Sequence, residues 1–140
     1  MAYYLKALIG KKQTLETCAS LVGNACIISL GQDMALIPLT REICEELGSS
    51  DPIENFYDLS VEIEAWALRI SKAGFVAYIE AEVWGGVGDQ GALGWNAGSR
   101  AFEPLRETDA INRVLKLFGV DCGSAHDEFE AVGLGRHRKT

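Results

Sequence analysis

Residues 84 to 95 read WGGVGDQGALGW and contain the spacing G-x-G-x-x-G at Gly86, Gly88 and Gly91. In a dinucleotide-binding fold such glycines lie between a strand and a helix, and the helix N-terminus holds the pyrophosphate. A strand is predicted before the motif, but the residues after Gly91 are ALGWNAGS, whose glycines and asparagine disfavour a helix. Asp89 would also repel a phosphate. The motif therefore predicts a hairpin connection, and no cofactor is expected.

Two carboxylates, Glu80 and Glu82, are two residues apart in the apolar run from Phe75 to Trp84. Alternate residues of a strand point to the same face, about 6 to 7 Å apart along it. Paired carboxylates near this distance divide the acid and base roles in glycoside hydrolysis, and Tyr78 and Trp84 on the same face could stack on a sugar. A half-solvated sheet face needs no catalytic explanation. A third interpretation, in which the pair belongs to an acidic surface that meets a basic partner, is preferred to catalysis, and catalysis at Glu80 and Glu82 stays the alternative.

The four cysteines, Cys18, Cys26, Cys44 and Cys122, form no C-x-x-C pair and have apolar neighbours. This pattern predicts buried, reduced thiols. His126 follows Cys122 by four residues, but structural zinc usually takes two close pairs of ligands. A catalytic Cys-His pair is normally assembled from separated segments of the chain. We therefore predict neither a metal site nor a nucleophilic catalytic site.

The net charge of −7 originates in one stretch of the chain. Residues Glu42 to Glu64 include eight acids and no Lys or Arg, and the other 12 of the 20 acids are balanced by 13 bases. An acidic surface repels the phosphates of nucleic acid and accelerates encounter with a basic protein. We therefore predict a basic protein partner and no nucleic-acid partner. The expected partner-binding residues are Glu45, Glu46, Asp51, Glu54 and Asp58, with Trp84 and Asp89 as a second patch at the glycine-rich loop.

The chain has the length and composition of one soluble domain, with 140 residues, 48% of them hydrophobic and 24% charged. No apolar run approaches the roughly 20 residues that a transmembrane helix requires. The N-terminus, MAYYLKALIG, lacks the positive region and cleavage site of a signal peptide. A cytoplasmic protein without membrane contact is therefore expected.

Hydrophobic periodicity and turn residues predict the element order β-α-β-β-α-α-β-β-α. Thr40 is the expected N-cap of one helix, and Asp58 or Ser60 that of the next. The predicted fold is a single α+β domain over residues 1–140, with a mostly antiparallel sheet of about five strands and helices packed on one side. The predicted strands are Ala2–Ile9, Cys26–Leu30, Met34–Ile37, Phe75–Trp84 and the segment ALGWNAG, and the predicted helices are Thr14–Val22, Arg41–Leu47, a longer one ending before Gly74, and one after Thr108.

Two segments, YIEAEVWGGVGDQGALGW and the C-terminal GLGRHR, resemble small uncharacterised bacterial proteins of about this length. Acidic proteins of this general kind include immunity proteins, which bind and neutralise a cognate toxin. The resemblance implies a non-enzymatic inhibitor of a basic toxin domain, as a monomer or homodimer. It implies no catalytic or binding residues.

Three functions thus remain open. The first is an acidic binding protein of the immunity or inhibitor type, and the second is a small hydrolase that uses Glu80 and Glu82. The third is a structural subunit that self-associates through an exposed edge of its sheet. The basic C-terminal residues RHRKT could fold back onto the acidic stretch or bind an anionic group.

Overall fold

A computed structural model describes residues 3–18, 26–48, 50–54, 56–84, 87–121 and 123. The order of the main elements is the predicted β-α-β-β-α-α-β-β-α, and two short strands precede the last helix. The elements are β1 (Tyr3–Lys11), α1 (Lys12–Cys18), β2 (Ile28–Ser29), β3 (Met34–Pro38), α2 (Arg41–Leu47), α3 (Val61–Ile70), β4 (Val76–Trp84), β5 (Val87–Asn96), β6 (Ser99–Arg100), β7 (Leu105–Arg106) and α4 (Ala110–Leu117).

The described strands form one sheet in the order β2-β3-β1-β4-β5-β6, and β7 also pairs with β5. Every strand pair is antiparallel. The central pair, β1 with β4, extends from Tyr3 opposite Val83 to Gly10 opposite Val76. The predicted α+β class and its mostly antiparallel sheet are therefore confirmed, with seven strands instead of about five.

The sheet carries an apolar core on each face, because the central strands are buried on both sides. Helices α1, α2 and α3 cover the face that includes Leu8 and Tyr78. Helix α4 covers the opposite face, which includes Ala7 and Ile79. The prediction that all helices pack on one side is therefore wrong for α4. The near-continuous apolar sequence of β4 explains the difference, since a strand buried on both faces needs a cover on each.

Side-chain caps set the start of the two helices that bear most of the acidic stretch. The Thr40 hydroxyl accepts the N–H of Ile43 at the start of α2, 3.4 Å away. The Ser60 hydroxyl accepts the N–H of Ile63 at the start of α3, at 3.3 Å. Both caps agree with the sequence prediction, and they leave residues 48–60 as the connection between the helices.

The glycine-rich segment belongs to a hairpin, as predicted. Strand β4 ends at Trp84, β5 begins at Val87, and these two residues are paired. A strand therefore leaves the motif where a dinucleotide site would need a helix. Gly91 lies opposite Glu80 in the sheet. A Cβ at Gly91 would lie 2.8 Å from the ring of Phe56, so this glycine makes room for a side chain packed over the strand.

No helix in the described ranges combines the length and the apolar character needed to cross a membrane.

Candidate functional site

Glu80 lies on β4 beneath the connection between α2 and α3, and only 2% of it is exposed. Its carboxylate accepts the backbone N–H groups of Tyr57, at 2.9 and 3.1 Å, and of Asp58, at 3.3 Å. The hydroxyl of Tyr78 donates to it at 2.6 Å, and Arg106 donates from Nη2. A buried carboxylate requires such donors and a counter-ion to offset its lost hydration. Glu80 is therefore not part of a half-solvated face.

Arg106 extends from β7 over the same connection. Its guanidinium binds Glu80 and lies 3.4 Å from the Asp89 carboxylate. The guanidinium carbon is 5.4 Å from the ring centroid of Phe56 and 4.7 Å from that of Tyr57. Both distances fit cation–π contacts. Arg106 thus joins β7 to residues 56 and 57 on one side and to Asp89 of β5 on the other.

Tyr57 is half-exposed, at 49%, yet it is held at several points. Its N–H is bound by Glu80, and its hydroxyl donates to Asp89 at 2.5 Å. The hydrogen bond to Asp89 raises the pKa of Tyr57, and the negative charge of Asp89 adds to this effect. An aromatic side chain fixed in this way loses little conformational freedom when a partner contacts it.

A cavity of about 170 Å³ lies beside Tyr57, between α2 and the connection to α3. Its walls include Lys6, Cys44, Pro52 and Asp58. Burial raises the pKa of the Cys44 thiol, so the thiol stays protonated near neutral pH and is a weak nucleophile. The cavity is smaller than the roughly 300 to 1,000 Å³ of small-molecule sites. It has room for a single side chain.

The expectation of buried thiols holds only in part. Cys44 is half-buried, whereas Cys26 is exposed, and both are free thiols. Cys122 and His126 lie outside the described residues, as does the basic C-terminal segment. Within the described ranges, no group of three His, Cys, Asp or Glu side chains is placed to hold a metal ion.

Several carboxylates of the acidic stretch form ion pairs within the chain. Arg100 binds Glu64 at 2.7 Å and Glu54 at 3.6 Å. Two other pairs join Arg41 to Glu45, at 3.0 Å, and Lys6 to Asp58, at 3.7 Å. These four ion pairs engage three cations, whereas the stretch holds eight carboxylates.

The predicted partner-binding residues fall into three groups. Those on α2 and early in the connection are exposed, whereas Asp58 is half-buried at the cavity and Asp89 contacts Tyr57. The side chain of Trp84 is outside the described part of the structure. Tyr57, the chain neighbour of Asp58, therefore contacts Asp89 through its hydroxyl. The exposed group comprises Glu45, Glu46, Asp51 and Glu54.

The sequence prediction missed Tyr57 and Arg106. Tyr57 lies inside the acidic stretch, and an aromatic residue amid exposed acids could have indicated an anchor. Nothing in the sequence around Arg106 distinguishes it from other arginines. Trp95 is fully buried and donates its indole N–H to Glu64 at 2.9 Å.

Glu80 and Glu82 are two residues apart on β4 and therefore share one face, as predicted. On β1, Lys6 lies opposite Glu80 and Tyr4 opposite Glu82. Their environments differ, however. Glu80 is buried and bound by internal donors, whereas Glu82 is half-buried.

Comparison of the chain with protein-family models, with curated proteins and with solved structures gave no match.

Proposed function

We propose that this protein is a non-enzymatic binding protein, of the immunity or inhibitor type, whose acidic face docks a basic protein. The acidic face comprises Glu45, Glu46, Asp51, Glu54 and Asp58. Tyr57 supplies the apolar anchor. It lines the same cavity as Asp58 and α2. The observation that carries the proposal is this half-exposed but fixed tyrosine beside an excess of carboxylates.

Charge supports a basic partner. Four of the five acidic-face residues are exposed, and the stretch from Glu42 to Glu64 that contains them has eight acids and no Lys or Arg. Such a field increases the association rate and selects against acidic proteins. It contributes less to affinity, because exposed charge pairs stabilise a complex only weakly.

Affinity then depends on an apolar contact. Binding energy concentrates in a few side chains, among which tyrosine is enriched. Tyr57 is 49% exposed, and Val61, four residues later at the start of α3, is 51% exposed. Among the described residues these are two of the three large hydrophobic side chains that are exposed, and the third, Leu117, lies on α4. The exposed apolar surface therefore coincides largely with the acidic stretch.

The hydrolase alternative has weaker support. A catalytic carboxylate must reach its substrate, and Glu80 is covered by Phe56, Tyr57 and Arg106. Its oxygens already accept hydrogen bonds from four donor groups of the chain. These contacts give Glu80 a structural role, and we therefore favour binding over hydrolysis.

The experiment that tests this function is capture of partners from lysate of the source cell, at about 0.05 M and about 0.5 M salt, concentrations that bracket the screening range. The wild type is compared with Asp51→Lys and with Glu103→Lys. Both positions are exposed acids, but only Asp51 belongs to the acidic face. We expect one basic protein to be identified at low salt, reduced at high salt, lost from Asp51→Lys and kept by Glu103→Lys.

Retention that is equal in both variants, or retention of proteins that are not basic, would contradict the proposal. Recovery of no protein at either salt concentration would also contradict it.

A further inference from the structure

We propose that the cavity beside Tyr57 receives one arginine side chain of the basic partner, with its guanidinium on Asp58. The inference rests on the proposed function, because it names the group by which the partner is recognised at the same face.

The size of the cavity limits its occupant. Its volume of about 170 Å³ equals that of roughly five or six waters at about 30 Å³ each. This space is too small for a nucleotide or a sugar, but it accommodates one long side chain. In protein interfaces, the residues that contribute most to affinity fill pockets of this kind, and arginine is one of the three enriched types.

The walls suit the two parts of an arginine. Pro52, Ile63 and Cys44 offer apolar surface to the methylene stem. Asp58 offers a carboxylate, to which a guanidinium binds in a planar, two-point geometry. Tyr57 also lines the cavity, and guanidinium groups stack on aromatic rings. A lysine ammonium lacks the planar group that binds a carboxylate at two points.

Among the described residues that line the cavity, Lys6 is the one cation, and it lies 3.7 Å from Asp58. In this ion pair 20% of the Lys6 side chain and 26% of the Asp58 side chain are exposed. A carboxylate accepts several hydrogen bonds, so Asp58 can hold both Lys6 and an incoming guanidinium. The Lys6 charge will nevertheless oppose a second cation, and we expect weak binding of an isolated arginine.

The test uses small probes and the intact chain. Amide chemical shifts are followed by NMR while N-acetyl-arginine methylamide is added, and the titration is repeated with N-acetyl-citrulline methylamide. Citrulline has nearly the same shape but no charge. We expect the arginine probe to shift the amides of Cys44, Tyr57 and Asp58 with a Kd of about 1 to 10 mM, and the citrulline probe to bind at least about tenfold more weakly.

Two variants locate the effect. Asp58→Asn should remove the preference for arginine over citrulline, whereas Asp51→Asn, the matched control on the same face, should keep it. Equal shifts with both probes, or no shift at these three amides, would overturn the inference.

The outcomes separate this inference from the proposed function. A basic protein captured by the wild type, but bound equally well by Asp58→Asn, would refute the arginine site and leave the acidic face intact. Arginine binding at the cavity without any captured basic protein would support the site and contradict the proposed function.

Discussion

The carboxylate of Glu80 holds the backbone N–H of Tyr57, with 2.9 Å between Oε2 and the amide nitrogen. One residue is almost fully buried in the sheet, and the other is the half-exposed aromatic residue of the acidic face. The buried charge therefore has a direct connection to the surface that we propose for binding. Loss of the charge should disturb both the stability of the fold and the position of Tyr57.

Replacement of Glu80 by glutamine should lower the free energy of unfolding by about 2 to 3 kcal/mol, because Arg106 and the Tyr78 hydroxyl lose a charged acceptor. The measurement is urea unfolding at neutral pH. Glu82→Gln is the matched control on the same face, and its effect should stay below about 1 kcal/mol. Equal effects at the two positions would contradict the structural role of Glu80.

Replacement of Gly91 by alanine should destabilise the fold by about 1 to 3 kcal/mol through overpacking. The new Cβ would lie 2.8 Å from a ring carbon of Phe56, which is 5% exposed and has little room to move. The double variant Gly91→Ala/Phe56→Leu should be more stable than the sum of the two single effects predicts, since leucine has no ring at that position. Strict additivity in urea unfolding would show that the two residues do not compete for space.

The phenol of Tyr57 should lose its proton at a higher pH than an ordinary tyrosine, whose pKa is near 10.0, because the ionised Asp89 accepts its hydrogen bond. Asp89→Asn should lower the pKa of Tyr57 towards that value. The pKa of Tyr57 is measured by a pH titration in which the NMR signals of its ring carbons are followed. Glu82→Gln is the control, and since the Glu82 charge makes the smallest contribution, its effect should be smaller. An unchanged pKa in Asp89→Asn would refute the contact.

The ion pair between Glu64 and Arg100 predicts a specific loss of stability in acid. The hydrogen bond from Arg100 lowers the pKa of Glu64 below its ordinary value of 4.5, and Trp95 donates a further bond. A carboxylate with a lowered pKa in the folded state stabilises the fold above its unfolded pKa, and this stabilisation is lost as pH falls through the folded pKa.

Glu64→Gln should therefore be less stable than the wild type by about 1 to 2 kcal/mol at pH 7. This difference should shrink as pH falls below the ordinary pKa of 4.5 and through the lower pKa of the folded state. Urea unfolding at several pH values measures the difference. Glu103→Gln is the control, because Glu103 is exposed and has no ion pair among the described residues. It should show no such trend. A difference that is constant with pH would show that the charge of Glu64 is not the cause.

Local patterns in the sequence predicted much of the fold. The caps at Thr40 and Ser60 are local signals, and both occur as expected. The alternation in β4 placed Tyr78 and Glu80 correctly on one face. The hydrophobic periodicity after Thr108 predicted a helix, but periodicity does not show which face of a sheet the helix will cover. That choice depends on the path of the chain from β5.

The candidate site was less predictable, because its contacts join distant parts of the chain. Glu80 is 23 residues from Tyr57 and 26 from Arg106. An alternating strand pattern assigns Glu80 to a face, and the usual inference for a charged residue is exposure to water. Burial follows only when Phe56, Tyr57 and Arg106 fold over it, and Gly91 leaves the necessary space.

The most direct test of the central claim is the Kd of the captured basic protein for two alanine variants, measured by calorimetry. Tyr57→Ala removes the proposed anchor, whereas Leu117→Ala removes a comparably exposed apolar side chain on α4. Our account predicts that Tyr57→Ala weakens binding at least about tenfold, as loss of a central aromatic anchor does, and that Leu117→Ala leaves the Kd unchanged. Equal Kd values for the two variants, or a stronger effect of Leu117→Ala, would contradict it.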